Sequence, residues 1–315
     1  MFSDVKKLFN YVLRKLPPGI SVPLYHLRLR LQGQIIYSWS GVQEAFAKAE
    51  RARTVSEDLF LKELRSFYFH FPEVPDVDPR SVQYRSFWAK TYERLSKRTY
   101  NVDNERVDFD ESRPPYPFFT GSSDMVGLHF IAIGFVIRAL GLTPGARILE
   151  LGAGCGNISI ALSQMGCDVT AIEIEPKCVR IIDQRAKQLG TKLTAVHGDF
   201  FSIRNQPAES FDAVLFCGAF HHCSDHLALL DEIPRVLKPG GMLALAGETI
   251  NERFPSPWGL NPNGEAIWQI VKNGWMELAF KESYILETLK MKGWSVCRHD
   301  CPSTDGGIVY VAHRC

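Results

Sequence analysis

A glycine-rich segment, Glu150-Leu-Gly-Ala-Gly-Cys-Gly156, carries the residue types best suited to holding a ligand. It follows a short apolar run typical of a strand and precedes a segment, 157–165, that is typical of a helix. Glycines let the backbone approach a ligand closely, and a helix N-terminus presents N–H groups without intrahelical partners. The pattern therefore predicts a cradle for a nucleotide-type cofactor.

The spacing of the glycines indicates which kind of cofactor. Dinucleotide-binding loops follow G-x-G-x-x-G, whereas Gly152, Gly154 and Gly156 form G-x-G-x-G and Asn157 holds the sixth position. A carboxylate at Glu150 would repel a pyrophosphate and attract a cation. The segment thus favours a cationic ligand, and a nicotinamide oxidoreductase is the disfavoured alternative.

Groups suited to the rest of a nucleoside lie at the ends of three further predicted strands. Glu173 lies 21 residues after Gly152, where an acid can accept hydrogen bonds from both ribose hydroxyls. Asp199 follows the third strand and is placed to accept from an amino group of the base, with Phe200 beside the ring. Cys217 ends the fourth strand and completes the residues expected to contact the cofactor.

The elements that must position these groups change character near residue 143. Residues 1–142 predict a mainly helical N-terminal lobe or cap, and residues 143–315 predict an α/β domain with an insertion at about 251–277. Continuous apolar strands indicate a sheet covered on both faces. We expect a doubly wound, Rossmann-like seven-stranded sheet with an antiparallel C-terminal edge hairpin, its strands at about 146–151, 168–174, 192–197, 211–217, 241–248, 294–300 and 307–313.

The ordered motifs resemble those of class I S-adenosylmethionine-dependent methyltransferases. The resemblance covers roughly 143–313 and adds two motifs to those above, Phe211-Asp212 and Arg235-Val-Leu-Lys-Pro-Gly-Gly241. It implies that the cofactor is S-adenosyl-L-methionine and the product S-adenosyl-L-homocysteine. By the same resemblance, Glu150 and the glycine loop hold the methionine end, Glu173 the ribose and Asp199 the adenine, while Ile174 and Phe200 lie on either side of the base.

Two adjacent histidines after the fourth strand, His221 and His222, are the candidate catalytic residues. Positioning and exclusion of water can supply most of the rate of an in-line methyl transfer. A base is needed only where the nucleophile holds a proton, and imidazole titrates in the right range. A purely structural role for this turn is the alternative. The neighbouring side chains match no zinc-ligand spacing, so we expect no metal ion.

The acceptor is predicted by weaker patterns. Tyr116 and His129 come from the helical lobe, Glu248 ends the fifth strand, and Arg253 and Trp258 follow it. Aromatic and hydrogen-bonding side chains together suit a saccharide or another small molecule, and the insertion faintly resembles methyltransferases of polysaccharide biosynthesis. Packing of the insertion on the core is the alternative. We expect O-methylation, with N-methylation or a cofactor-binding regulatory or scaffold protein without turnover as alternatives.

Composition limits the partners and the location. A net charge of +1 and the lack of a basic, aromatic-rich run predict no nucleic-acid partner. Eight cysteines without a C-x-x-C pair indicate thiols in a reducing, cytoplasmic location. We find neither a signal peptide nor an uninterrupted apolar run of about 18 residues. The basic amphipathic segment 2–16 predicts peripheral membrane contact, with packing on the core or on a dimer mate as the alternative; the oligomeric state is left open.

Overall fold

The computed structural model describes residues 17–31, 34–71, 74–113, 115–301 and 307–314. The chain divides into two units. The composite unit comprises Met1–Thr99 and Ile250–Ile285, and the sheet unit comprises Tyr100–Thr249 and Leu286–Cys315. This division differs from the predicted boundary at residue 143. The predicted amphipathic segment 2–16 lies outside the described residues.

The composite unit combines the N-terminal region with the insertion. Its N-terminal elements are α1 (Pro18–Leu31), β1 (Ile35–Ile36), α2 (Trp39–Arg53), α3 (Glu57–Leu64), β2 (Tyr68–Phe69) and α4 (Val82–Ser96). The insertion adds β8 (Trp258–Leu260), α9 (Gly264–Lys272) and β9 (Leu278–Phe280). Helix α10 (Glu282–Met291) runs along the chain from this unit into the other.

A buried aromatic contact explains why the insertion belongs with the N-terminal helices. The Trp258 side chain is buried, its indole Nε1 donates to the Pro79 carbonyl at 2.7 Å, and its own carbonyl accepts from the Tyr84 hydroxyl at 2.9 Å. The next residue, Gly259, lies so close to Trp88 that an added Cβ would be 2.1 Å from the indole ring. The insertion therefore forms part of the core of this unit.

The sheet unit contains the remaining strands and helices. The strands are β3 (Arg147–Leu151), β4 (Asp168–Glu173), β5 (Leu193–His197), β6 (Phe211–Cys217), β7 (Leu237–Ala246), β10 (Trp294–Asp300) and β11 (Ile308–Arg314). The helices are α5 (Ser123–Leu140), α6 (Asn157–Gln164), α7 (Pro176–Leu189) and α8 (His226–Val236).

The sheet has the strand order β10-β11-β7-β6-β3-β4-β5. Strands β7, β6, β3, β4 and β5 pair in parallel, whereas β11 is antiparallel to both of its neighbours. The predicted doubly wound sheet of seven strands with an antiparallel C-terminal pair is confirmed. The antiparallel strand, however, lies between β7 and the edge strand β10 rather than at the edge itself.

Helix α5 explains why residues 100–142 group with the sheet. One of its faces, formed by Ile133, Val136 and Leu140, belongs to the same buried cluster as Ile148 of β3. By length and composition alone α5 could cross a membrane, and 17% of its residues are buried. It is not an uninterrupted apolar run, because it contains Asp124 and Arg138. The core helix of a soluble protein can meet the same criterion, so one such helix is weak evidence for a membrane span.

Candidate functional site

The glycine loop leaves β3 and enters α6 through three left-handed glycines. Gly152, Gly154 and Gly156 have φ angles of 75°, 53° and 74°, a region that side-chain-bearing residues seldom adopt. At Gly152 an added Cβ would lie 2.6 Å from the Cβ of Ala219, in the turn after β6. The turns that follow the neighbouring strands β3 and β6 therefore touch at this glycine.

Gly156 and Gly154 differ in what surrounds them. Gly156 caps α6, and an added Cβ there would lie 2.7 Å from Cγ1 of Ile182 on α7. The missing side chain at Gly156 thus allows the loop to pack closely on α7. At Gly154 a Cβ would meet no atom within 4 Å in the part of the chain that the structure describes. This open side of the loop is where a ligand can approach.

Two buried carboxylates stand beside the loop. Glu150 of β3 is 2% exposed and accepts a hydrogen bond from the Ser159 hydroxyl. Burial raises the pKa of Glu150 to about 8. Glu173 accepts from the backbone N–H of Gly154 at 2.8 Å and from that of Glu175 at 2.9 Å. Burial also raises the pKa of Glu173, and these N–H donors oppose that rise.

The predicted adenine-side residues lie at the adjacent strand ends. Asp199 accepts from the Ser202 N–H at 3.0 Å and so caps a short turn. The Phe200 ring lies against Phe216, with centroids 5.7 Å apart, and next to Gly152.

The remaining predicted cofactor residues, Ile174 and Cys217, are both half-buried, and both follow or end a strand of the same group. Burial, together with the nearby carboxylates Glu150 and Glu248, raises the pKa of the Cys217 thiol. The structure thus brings all the predicted cofactor residues to the carboxyl ends of β3, β4, β5 and β6, where ligands bind in open α/β sheets.

His221 is held by a buried carboxylate. Its Nδ1 lies 2.7 Å from Oε2 of Glu248, whose side chain is fully buried. The same carboxylate accepts from the backbone N–H groups of Ala219, Phe220 and His221 at 2.9, 3.0 and 3.1 Å. Burial works to raise the pKa of Glu248, but the His221 ring and these N–H donors hold it below its ordinary value. Glu248, predicted from sequence to contact the acceptor, is thus bonded to the turn that carries the histidines.

His222 faces a second carboxylate, which the sequence analysis missed. Its Nδ1 lies 3.1 Å from Oε2 of Glu105, and the two imidazole rings have centroids 4.3 Å apart. Glu105 belongs to a short turn, Val102–Glu105, in a stretch without hydrophobic periodicity. Because no local pattern marks that residue, only the tertiary structure reveals the pairing.

Tyr116 and His129 meet at the start of α6. Asn157 donates from its amide Nδ2 to the Tyr116 carbonyl at 2.7 Å, and the same nitrogen lies 3.0 Å from Nε2 of His129. The Tyr116 and His129 rings are 5.7 Å apart, edge to face. Burial lowers the pKa of His129, which keeps Nε2 available as an acceptor. Both residues therefore lie beside the glycine loop.

The other two predicted acceptor residues belong to the composite unit. Trp258 is a core residue there, 2% exposed. The Arg253 guanidinium lies 4.7 Å from the Tyr25 ring centroid. The backbone carbonyl oxygen of Arg253 lies 3.0 Å from Nε2 of His26. The burial of Trp258 favours the alternative, packing of the insertion on the core, over the predicted contact with the acceptor.

A family model and several known proteins match part of this chain. Residues 149–245 match the family model described as "Methyltransferase domain". A ubiquinone biosynthesis O-methyltransferase of Xanthomonas campestris pv. campestris is 34% identical over 153 residues, which are 47% of this chain and 60% of that protein. A demethylmenaquinone methyltransferase of Tropheryma whipplei is 33% identical over 124 residues, 38% of this chain and 49% of that protein.

The chain thus spans about half to three fifths of the length of the curated relatives that it matches. Among solved structures, a geranyl diphosphate C-methyltransferase of Streptomyces coelicolor A3(2) aligns with a TM-score of 0.51 at 14% identity, covering 74% of this chain and 98% of that one. That likeness concerns the fold alone. The domain model thus identifies residues 149–245, which lie in the sheet unit, as a methyltransferase domain, and the sheet around them has the predicted doubly wound order.

Proposed function

We propose that this protein transfers the methyl group of S-adenosylmethionine to an oxygen atom of a small acceptor. The observation that carries the proposal is the pair of imidazole–carboxylate contacts, His222–Glu105 and His221–Glu248, in one turn. That turn begins at Ala219, which touches the cofactor loop at Gly152. Groups able to remove a proton are therefore built into the segment that borders the donor site.

The residues divide the work as follows. When bound, the cofactor supplies an electrophilic methyl group, and Glu150 and Glu173 are the residues that would hold it. When Nδ1–H of a neutral imidazole points at a carboxylate, Nε2 keeps its lone pair and can accept a proton. The His222 side chain is 20% exposed and that of His221 11%. We therefore assign proton removal to His222, whose Nδ1 lies beside the Glu105 carboxylate, and fixing of the turn to His221 with Glu248.

An aromatic hydroxyl fits this base better than a saccharide hydroxyl. A phenolic O–H has a pKa near 10, within reach of an imidazole base, whereas a saccharide hydroxyl is far less acidic. One relative is named for ubiquinone biosynthesis and the other for demethylmenaquinone, which supports a ring of the quinone type as the acceptor. The expectation of a saccharide acceptor rested in part on Trp258, whose side chain is buried. We therefore propose a hydroxylated aromatic acceptor.

An acceptor panel with matched variants tests the proposal. A catechol, a simple saccharide and an aniline are each incubated with S-adenosylmethionine, and methylated products are measured by mass spectrometry. We expect methylation of the catechol. His222→Ala should lower kcat by about 10²–10⁴-fold and leave the dissociation constant of S-adenosylhomocysteine unchanged. The exposed His313 gives the control, since His313→Ala should behave like the wild type.

Three outcomes would contradict parts of the proposal. Wild-type turnover in His222→Ala would show that proximity alone or another base carries the reaction. Tight binding of S-adenosylhomocysteine without methylation of any acceptor would favour a regulatory or scaffold protein. Product from the aniline alone would favour N-methylation.

A further inference from the structure

Two cysteine sulfurs lie together where the cofactor loop meets α7. The Sγ atoms of Cys155 and Cys178 are 3.6 Å apart, and both thiols are free. Cys155 is half-buried, between Gly154 and Gly156, and Cys178 is buried in the first turn of α7. The pair plays no part in the methyl transfer proposed above.

The surroundings make the two thiols unequal. The hydrogen bond from the Cys178 thiol holds the pKa of Cys155 below its ordinary value, and the Arg185 guanidinium adds to this effect. Arg185 is fixed there because its Nη1 donates to the Cys155 carbonyl at 2.5 Å and to Asn157 Oδ1 at 2.8 Å. The hydrogen bond between the two thiols also raises the pKa of Cys178. Cys155 is therefore both the better nucleophile and the more accessible sulfur.

We propose that Cys155 and Cys178 are a site of reversible oxidation by a peroxide. The Cys155 thiolate attacks one peroxide oxygen, the O–O bond breaks, and Cys155 becomes a sulfenic acid while hydroxide leaves. The Cys178 sulfur then attacks the Cys155 sulfur, the S–O bond breaks, and water leaves as the disulfide forms. The two sulfurs lose two electrons in total, and the peroxide gains them. A reducing thiol reverses the modification by exchange.

The disulfide would change the cofactor loop. A disulfide bond is about 2.05 Å long, so the sulfurs must approach by about 1.5 Å. Gly156 already lies against Ile182 with no room for a Cβ, and the loop has little space to move as a body. The shift therefore falls on Cys155 and Gly154, whose N–H donates to Glu173. Loss of that contact would weaken cofactor binding, a consequence that rests on the proposed function.

Peptide mapping tests the oxidation itself. The full-length reduced protein is treated with hydrogen peroxide and digested without reductant, and linked peptides are identified by mass spectrometry. We expect a 155–178 link to form before Cys297, which is exposed, is oxidised. In Cys178→Ser, dimedone should capture a sulfenic acid on Cys155, and in Cys155→Ser it should capture none on Cys178. Oxidation of Cys297 without the link would overturn the proposal.

Cofactor affinity tests the consequence. Calorimetry with S-adenosylhomocysteine should give a dissociation constant about five-fold or more higher for the oxidised protein, restored by dithiothreitol. Cys297→Ser should respond like the wild type. A linked protein with unchanged affinity would overturn control of the cofactor site. If the reduced protein fails to bind S-adenosylhomocysteine, the proposed function fails, whereas the mapping still decides whether the pair is oxidised.

Discussion

The buried carboxyl of Glu150 should make cofactor binding depend on pH. Burial raises its pKa from 4.5 to about 8, so ionising it in the ligand-free protein costs about 5 kcal/mol more than in water. At pH 7 about nine in ten molecules therefore carry a protonated Glu150. A cationic ligand beside it favours the ionised form. Binding at neutral pH should then release a proton.

Calorimetry can measure both sides of this linkage. From pH 6 to 7.5 the affinity for S-adenosylhomocysteine, whose ammonium group is the cation, should rise about tenfold per pH unit, and above pH 8 it should level off. At pH 7 about 0.9 protons should be released per ligand. The release appears as a binding enthalpy that varies with the ionisation enthalpy of the buffer.

Two variants assign the effect to this residue. Glu150→Gln should bind S-adenosylhomocysteine more weakly. Its affinity should not rise with pH through this group, and binding should release no proton. Ser159 donates a hydrogen bond that lowers the pKa of Glu150, so Ser159→Ala should move the inflection to higher pH. A wild-type affinity that is flat from pH 6 to 8, without proton release, would refute the reasoning that a neutral Glu150 becomes charged on binding.

Three further predictions concern stability. The pKa of Glu150 is higher in the folded than in the unfolded protein. Its contribution to the stability of the folded state is therefore fully present below about pH 4.5 and is lost as the pH rises to about 8. In urea denaturation without ligand, the free energy of unfolding of Glu150→Gln should therefore rise relative to that of the wild type by roughly 1.4 kcal/mol per pH unit across that window. A difference that stays constant with pH would contradict this prediction. Gly152→Ala should cost about 1–3 kcal/mol, more than Gly154→Ala, because only the former places a Cβ against Ala219; equal losses would show that the contact is unimportant. Trp258→Ala should lower the free energy of unfolding by about 3–5 kcal/mol, whereas unchanged stability with a raised KM would support the predicted contact of Trp258 with the acceptor.

The sequence could predict that the candidate cofactor residues lie together because its signals for them are local. Each predicted cofactor residue stands at the end of an apolar strand or in the glycine loop, and parallel strands bring their carboxyl ends to one edge of the sheet. A pattern of strand, turn and helix thus places Glu150, Glu173 and Asp199 together without any knowledge of long-range contacts.

The pairing of the base could not be predicted in this way. Glu105 and His222 are far apart in the chain, and the segment around Glu105 has neither helical nor strand periodicity. The unit boundary was missed for a related reason. Helix α5 is apolar around most of its circumference, so its sequence does not show that the face with Ile133 and Val136 packs on the sheet. Trp258 likewise looks the same in a sequence whether it is buried or exposed.

Glu248 shows why a correct position does not give a correct role. The sequence places it at the end of the fifth strand, at the ligand-binding edge of the sheet, where a contact with the acceptor is expected. In the structure its carboxylate bonds to His221 and to three consecutive N–H groups of the turn after β6. The same turn reaches Gly152 through Ala219. One buried carboxylate therefore holds the segment that carries both histidines, and that segment lies next to the glycine loop.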